Sequence, residues 1–314
     1  MMKSSRILLI SSLILLASGL FFMLFNSNGN WDFILPFRGK KLLLLLTIAY
    51  TIGVSTLLFQ TLTNNPILTP SILGFDSLYL LIQTLLVFLI GGVGFTQLNI
   101  SGKFAFETLL MLGAALLLFR TLTRDNADIA RMLLIGVIFG VFFRSANNLL
   151  QRMIDPEEFA VAQSSSFASF NNANPTLLTI GIAIAVITAT WIWTQRHKLD
   201  VLMLGKHKAI GLGINYNRFS HQLLICCALL VSVSTALVGP ILFLGLLVCA
   251  IVNAVSPTMQ HSVRIPLTFI ISAITLVLGQ AVFEQLFKLQ GVLSVVIEFT
   301  GGIVFIYLML KKQK

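Results

Sequence analysis

Along the chain, apolar runs of about 20 residues alternate with short breaks rich in polar residues, glycine or proline. A bilayer core about 30 Å thick is crossed by roughly 20 residues of helix, so each run reads as a membrane-crossing segment. Ten stretches qualify, at 7–25, 42–62, 77–94, 104–121, 131–150, 175–194, 221–238, 240–254, 266–284 and 291–310. The eighth is short and is divided from the seventh only by Gly239-Pro240, a pair that forces a turn. Nine spans would put the termini on opposite sides of the membrane. The first run follows Lys3 and Arg6 as a signal peptide would, yet it continues to Phe25 without a small-residue cleavage site and is expected to stay as an anchor. The expected fold class is all-α, a polytopic membrane protein of about ten transmembrane helices forming one domain over residues 1–314.

Two breaks are too long to be simple connectors. The segment 195–222, QRHKLDVLMLGKHKAIGLGINYNRFSHQ, has apolar residues interrupted by Gly205, Gly211 and Gly213. It predicts one or two short amphipathic helices at the membrane face, serving either as an interfacial anchor or as a docking surface for a cytoplasmic partner. The segment 151–175 carries Asp155, Pro156, Glu157 and Glu158, then the polar, flexible run SSSFASFNNANP. Its length marks it as a candidate functional loop.

Composition narrows the class. Only 10% of residues are charged, against about 25% in soluble domains, so a water-facing coat cannot be built. A cytosolic enzyme, a disulfide scaffold and a disordered tail are excluded. The net charge of +10 does not point to nucleic acid, because the basic residues are scattered between apolar runs and form no stripe with interleaved aromatics. It fits basic loops. With ten spans and an inner N-terminus, Lys3, Arg6, Arg120, Arg124, Arg131, Arg196, Lys198, Lys206, Lys208, Arg218, Arg264, Lys311, Lys312 and Lys314 lie inside, 14 of the 21 Lys and Arg residues. This bias sets both termini in the cytoplasm.

Several chemistries fail on spacing. No G-x-x-x-x-G-K-[ST] occurs, so the chain has no such cradle for ATP phosphates. No H-E-x-x-H or G-x-S-x-G occurs either, and Cys226, Cys227 and Cys249 lack C-x-x-C spacing and read as packing residues. The charges expected inside spans are Glu107, Arg144, Glu284 and Glu298. Each should be paired, snorkel at a helix end, or serve a proton or ion relay. The spacing of Gly136 and Gly140 predicts a close helix contact.

The segment QTLTNNPILTPSILG at 60–74 resembles the Q-x-x-x-x-N-P-L-a-x-P-x-x-L-G signature of iron-siderophore and cobalamin importer permeases, the FecCD-like family. LGKHKAIGLGI at 204–214 is similar to its L-G-e-x-x-A-x-x-L-G-v stretch, GPILFLGLL at 239–247 to G-p-I-x-F-v-G-L, and GGIVFIYL at 301–308 to the closing G-x-P-x-F-x-x-L. The four motifs fall in family order over nearly the whole chain. The resemblance implies the permease subunit of a type II ABC importer in the bacterial inner membrane. Two ATPase subunits would dock from the cytoplasm, and a periplasmic or lipid-anchored binding protein would deliver a ferric siderophore from outside. Such a permease is not an enzyme and needs no cofactor of its own. The segments at 156–159 and 167–172, with the Gly-Lys of the coupling stretch, resemble the second permease of paired systems for ferric siderophores, often catecholates. They favour a heterodimer with a sister permease, with a homodimer as the alternative.

Carried over residue by residue, the resemblance assigns Leu204, Gly205, Lys206, Ala209 and Gly213 to ATPase coupling, and Arg38 and Lys41 to binding-protein docking. Asn65 and Ile67 fall on the family's cytoplasmic gate between the second and third helices, and Ile129 and Ala130 on a second gate between the fourth and fifth. The chain departs from the pattern at Lys206, where the family has glutamate, at 249–253, where P-H-x-x-R becomes CAIVN, and at Ile303, where it has proline. A third docking cation is absent from its expected position, with Lys288 nearby. Arg144 and residues 163–174 are candidates to touch an anionic chelate. The rival reading is a stand-alone secondary transporter that couples Glu107 and Glu298 to an ion gradient.

Overall fold

The computed structural model describes residues 4–25, 31–124, 129–164, 167–171, 174–286 and 293–312, and these are mostly helical with no strand among them. The helices are α1 (Ser4–Leu24), α2 (Trp31–Thr63), α3 (Phe75–Gln97), α4 (Ile100–Arg124), α5 (Ile129–Met153), α6 (Pro156–Ser164), α7 (Pro175–Leu202), α8 (Lys206–Gly211), α9 (Tyr216–Val238), α10 (Leu244–Val255), α11 (His261–Ala281) and α12 (Leu293–Lys312). Eight of them are long and apolar enough to cross a membrane, and α10 and the Leu293–Val304 stretch of α12 are shorter apolar helices.

The central element is α2, which packs on α7, α9, α10 and α11 and is buried almost without interruption from Leu44 to Leu62. Helices α1 and α5 instead turn large apolar side chains outward, among them Leu9, Leu13, Leu16, Leu134, Ile138 and Phe142. A charge-poor chain can expose such residues because lipid, or a partner subunit, is their solvent.

Three sequence expectations change. The 195–222 break is shorter than its composition suggests, because Leu199, Leu202, Phe219 and Leu223 keep a buried helical face. α7 therefore runs to Leu202, α9 starts at Tyr216, and one six-residue helix, α8, lies between. In the 151–175 segment, Pro156 opens α6, with Glu157 and Glu158 in its first turn where the helix dipole favours acid. Its polar run is also anchored rather than free. Ala168 and Phe170 are buried, and the Ser169 amide donates to the Val238 carbonyl at 2.7 Å. Ser165, Ser166, Asn172 and Ala173 lie outside the described residues.

The eighth stretch is only partly helical. Residues 239–243 are not helical and α10 contributes 12 residues, about 18 Å at about 1.5 Å each. The helix alone is thus shorter than a bilayer core of about 30 Å. Non-helical backbone at membrane depth is tolerated only where protein covers it. Gly239, Pro240 and Ile241 are buried, and Gly239 (φ +99°) lies so close to Ala168 that a Cβ there would come 3.0 Å from the Ala168 Cα.

Between α2 and α3 the chain reverses through Asn64 (φ +49°) and a 3-10 turn, Pro70–Leu73, that ends at Gly74 (φ +86°). Gly136 and Gly140 of α5 press on this turn, as their spacing predicts. A Cβ on Gly136 would meet Leu73 Cδ2 at 2.7 Å and Leu73 Cα at 3.0 Å, whereas one on Gly113 would meet nothing within 4 Å. Gly136→Val is therefore expected to destabilise the purified protein by roughly 1–3 kcal/mol through overpacking, with Gly113→Ala neutral. Thermal unfolding in detergent checks this, and equal midpoints for both variants would reject the close contact.

Candidate functional site

At one end of the bundle, α8 is set between two left-handed glycines, Gly205 (φ +95°) and Gly213 (φ +85°), conformations that a side chain would strain. Ala209 is fully buried in the main core and seats the short helix. The resemblance groups it with the coupling residues, but the structure puts it beneath the surface that a partner could touch. That surface consists of Leu204, Ile210 and Leu212, all more than half exposed, with exposed His207 and Lys208 beside them. Lys206 lies half-buried, its Nζ 5.7 Å from the Tyr216 ring centroid. An apolar patch with a basic rim is suited to docking another protein.

The 64–67 reversal shares a cavity with Met203, which follows the end of α7. Its geometry is held by local hydrogen bonds: the Ile67 amide donates to Asn65 Oδ1 at 3.1 Å, the Asn65 amide to the Gln60 carbonyl at 3.2 Å, and Gln60 Nε2 to the Pro66 carbonyl at 2.7 Å. Asn65 and Ile67 are half-buried. A cavity of about 350 Å³ opens next to them, lined by Thr61, Asn65, Met203, Asn253, Met259 and Arg264 among others. Ile129 and Ala130 open α5, where Ala130 is exposed; the Ile129 side chain lies outside the described residues.

Sequence reasoning missed the polar residues that join these parts. His261 is fully buried, with Nδ1 2.7 Å from Asp200 Oδ1 and Nε2 2.8 Å from Thr61 Oγ1. Arg264, 4% exposed, donates to Asn253 Oδ1. A signal was available: the H-x-x-R spacing missing at 250–253 appears at 261–264.

At the opposite end, neither expected docking cation stands free. Arg38 is half-buried and its Nη1 donates to the carbonyls of Phe22, Met23 and Phe25 at 3.1, 3.0 and 2.8 Å, satisfying the exposed end of α1. Lys41, expected at an exposed rim, is 5% exposed and is ion-paired with Glu284 while donating to Asn171 Oδ1 at 2.6 Å. Glu284 lies in a π-helical turn, Val282–Leu286, and also accepts from Gln280 at 2.5 Å. Lys288 lies outside the described residues.

Glu107 is similarly held. It accepts from Gln83 Nε2 at 2.6 Å and lies 3.8 Å from Lys103 Nζ, at the edge of a cavity of about 530 Å³ that Tyr79, Asn171 and Asn174 also line. Pairing, rather than an open relay, describes Glu107 and Glu284. Arg144 is exposed on α5, and Glu298 is half-buried on α12 within electrostatic reach of Asp76.

The backbone has a close counterpart in a solved inward-facing conformation of a metal-chelate type ABC transporter, with a TM-score of 0.85 at 20% identity, covering 98% of this chain and 100% of that one. The two chains share one fold. In sequence, residues 6–311 match the FecCD transport family, and the chain belongs to that family. The petrobactin import system permease protein YclO of Bacillus subtilis is 45% identical over 100% of this chain and 99% of its own length. The petrobactin permease FatC of Bacillus anthracis is 36% identical over 83% and 74%.

The Lys41–Glu284 pair gives a direct test. Removing one partner of a buried ion pair costs roughly 3–5 kcal/mol, and with the Glu284 side chain 26% exposed Lys41→Met is expected to cost no more than the lower end of that range. The double variant Lys41→Met/Glu284→Gln should recover part of the loss. Thermal unfolding in detergent measures both, and a double variant as unstable as the two single losses added would show that the residues do not interact.

Proposed function

We propose that this chain is the permease subunit of an ATP-driven importer that carries a ferric siderophore of the petrobactin kind across the bacterial cytoplasmic membrane. The observation that carries this reading is the full-length likeness to the petrobactin permease of Bacillus subtilis. Two ATPase subunits occupy the α8 end, and a siderophore-binding protein, periplasmic or lipid-anchored, docks at the other end. A sister permease completes the path, as a heterodimer in preference to a homodimer. The α8 end faces the cytoplasm. In support, α2 ends at the reversal that shares a cavity with Met203 at the end of α7, and Arg38 near its start caps the far end of α1, so α1 begins on the side where α7 ends.

The mechanism is alternating access. A docked ATPase or binding protein moves the permease only through unequal affinity for its two states, so the docking surfaces must belong to elements that move with the gate. α8 meets this requirement. Its amide-linked neighbour α7 ends beside the 64–67 reversal, and Met203 and Asn65 line one cavity. Asn65 shapes that reversal, and Ile67, Ile129 and Ala130 join it in the gate by the resemblance. The permease needs no strong ligand for iron, since a bulky chelate must pass without being trapped.

Cells lacking their own permease, supplied with this chain and its partner subunits, should accumulate radiolabelled iron from ferric petrobactin. Uptake no greater than without the chain would reject the cargo. Ile210→Glu with Leu212→Glu places charge in the exposed α8 patch and is expected to reduce ATPase co-purification at least tenfold while the thermal midpoint stays unchanged; undiminished co-purification would remove α8 as the docking surface.

A further inference from the structure

We propose that His261 is a positioning residue that carries displacement of the α8 end to the gate helix α2, with Asp200 and Thr61 as its contacts on either side. The inference rests on the reading of α8 as the ATPase surface. Asp200 lies in the last turn of α7, five residues before the left-handed Gly205 at which the chain turns into α8. Thr61 lies in the last turn of α2, three residues before the left-handed Asn64 that begins the gate reversal. The imidazole of His261, the first residue of α11, bridges the two, and the His261 amide also donates to Asp200 Oδ1 at 2.7 Å. Three helix ends therefore meet on one ring with no exposed surface.

Hydrogen-bond accounting makes the bridge robust. The Asp200 carboxylate only accepts, so His261 Nδ1 carries the proton. On the other side, Thr61 Oγ1 lies 2.8 Å from both His261 Nε2 and the Leu57 carbonyl. A neutral ring accepts the hydroxyl proton at Nε2. A protonated ring donates to Oγ1, whose own proton then goes to Leu57. The contact between α11 and α2 is kept in either state. One turn along, Arg264 donates to Asn253 of α10 and points Nη1 at Met203 Sδ, 3.8 Å away. The Arg264 and Asp200 side chains are the charged groups around the ring.

Stability alone does not account for this arrangement. Buried polar clusters roughly break even when replaced whole by apolar side chains of the same shape. What the polar bridge adds is direction: one hydrogen bond joins the end of α7 to α11, and the other joins α11 to the end of α2. The coupling segment is tied to it, since the Gly205 amide donates to the Leu202 carbonyl at 3.1 Å, within the turn that holds Asp200. The 350 Å³ cavity between Thr61, Met203 and Asn253 leaves the gate side room to shift.

The test uses the reconstituted importer with its ATPase and binding protein, and reads three quantities: ATPase retained, ATP hydrolysed, and cargo moved per ATP. Thr61→Val removes the hydroxyl at nearly constant shape, and Asp200→Ala removes the acceptor. Each is expected to retain the ATPase and its hydrolysis while lowering cargo moved per ATP at least fivefold. Thr61→Ser and Asp200→Asn, which keep an oxygen in place, should restore the ratio. His261→Phe should resemble Thr61→Val; should it fail to fold, the two flanking variants still decide. Wild-type cargo per ATP in Thr61→Val and Asp200→Ala, or a fall of hydrolysis and transport in equal proportion, would overturn the proposal. Loss of ATPase binding in the α8 patch variants bears only on the docking surface and leaves this ratio to be judged separately.

Discussion

No water is present in the middle of a bilayer to satisfy an interrupted helix, so every break in the backbone must be covered by protein. Much of this fold answers that constraint. The break at Gly91 (φ +75°) in α3 is covered by α6, whose Glu158 accepts from the Gly92 amide at 3.2 Å. The non-helical segment 239–243 is met by the buried residues of the 167–171 loop. The reversal at 64–74 is closed by its own Asn65 and Gln60 bonds and by α5, which approaches through glycine. At these three breaks, elements distant in sequence meet and hold one another.

The same solvent governs charge. Unpaired charge is costly in hydrocarbon, and among the described residues three pairs meet that cost within the chain: Lys41 with Glu284, Lys103 with Glu107, and His261 with Asp200. Paired groups brace the bundle and do not readily serve as an ion path, which weakens the secondary-transporter alternative at Glu107. Exposed charge is spread along the chain, at Asp32, Lys40, Arg152, Asp155 and Glu157 as well as at His207 and Lys208 beside the α8 patch.

The spans were legible because lipid demands long apolar runs, and the Gly136–Gly140 contact because small residues at that spacing serve little else. Helix ends were less legible. Arg196, His197 and Lys198 look like loop in a hydropathy reading, yet Leu199 and Leu202 hold the same helix to the core. The coupling segment was visible through its glycines and its family likeness, while the burial of Ala209 was not, since a small apolar residue reads alike above and below a surface. Lys41 shows the same limit, because its rim position follows from sequence only if no partner exists, and Glu284 lies 243 residues away. The Asp200–His261–Thr61 bridge joins residues from three helices, so the H-x-x-R spacing at 261–264 could point to His261 but not to its partners.

The central claim is that a partner's ATP drives this chain. Proteoliposomes holding the complete importer, loaded with ATP and an ATP-regenerating system and given binding protein with ferric siderophore at the opposite face, measure it most directly. Uptake is expected to require hydrolysis-competent ATPase subunits and to persist after ionophores collapse the proton and sodium gradients. Uptake that continues with ATPase-dead subunits, or that disappears on collapsing the gradients with ATP still present, would contradict it.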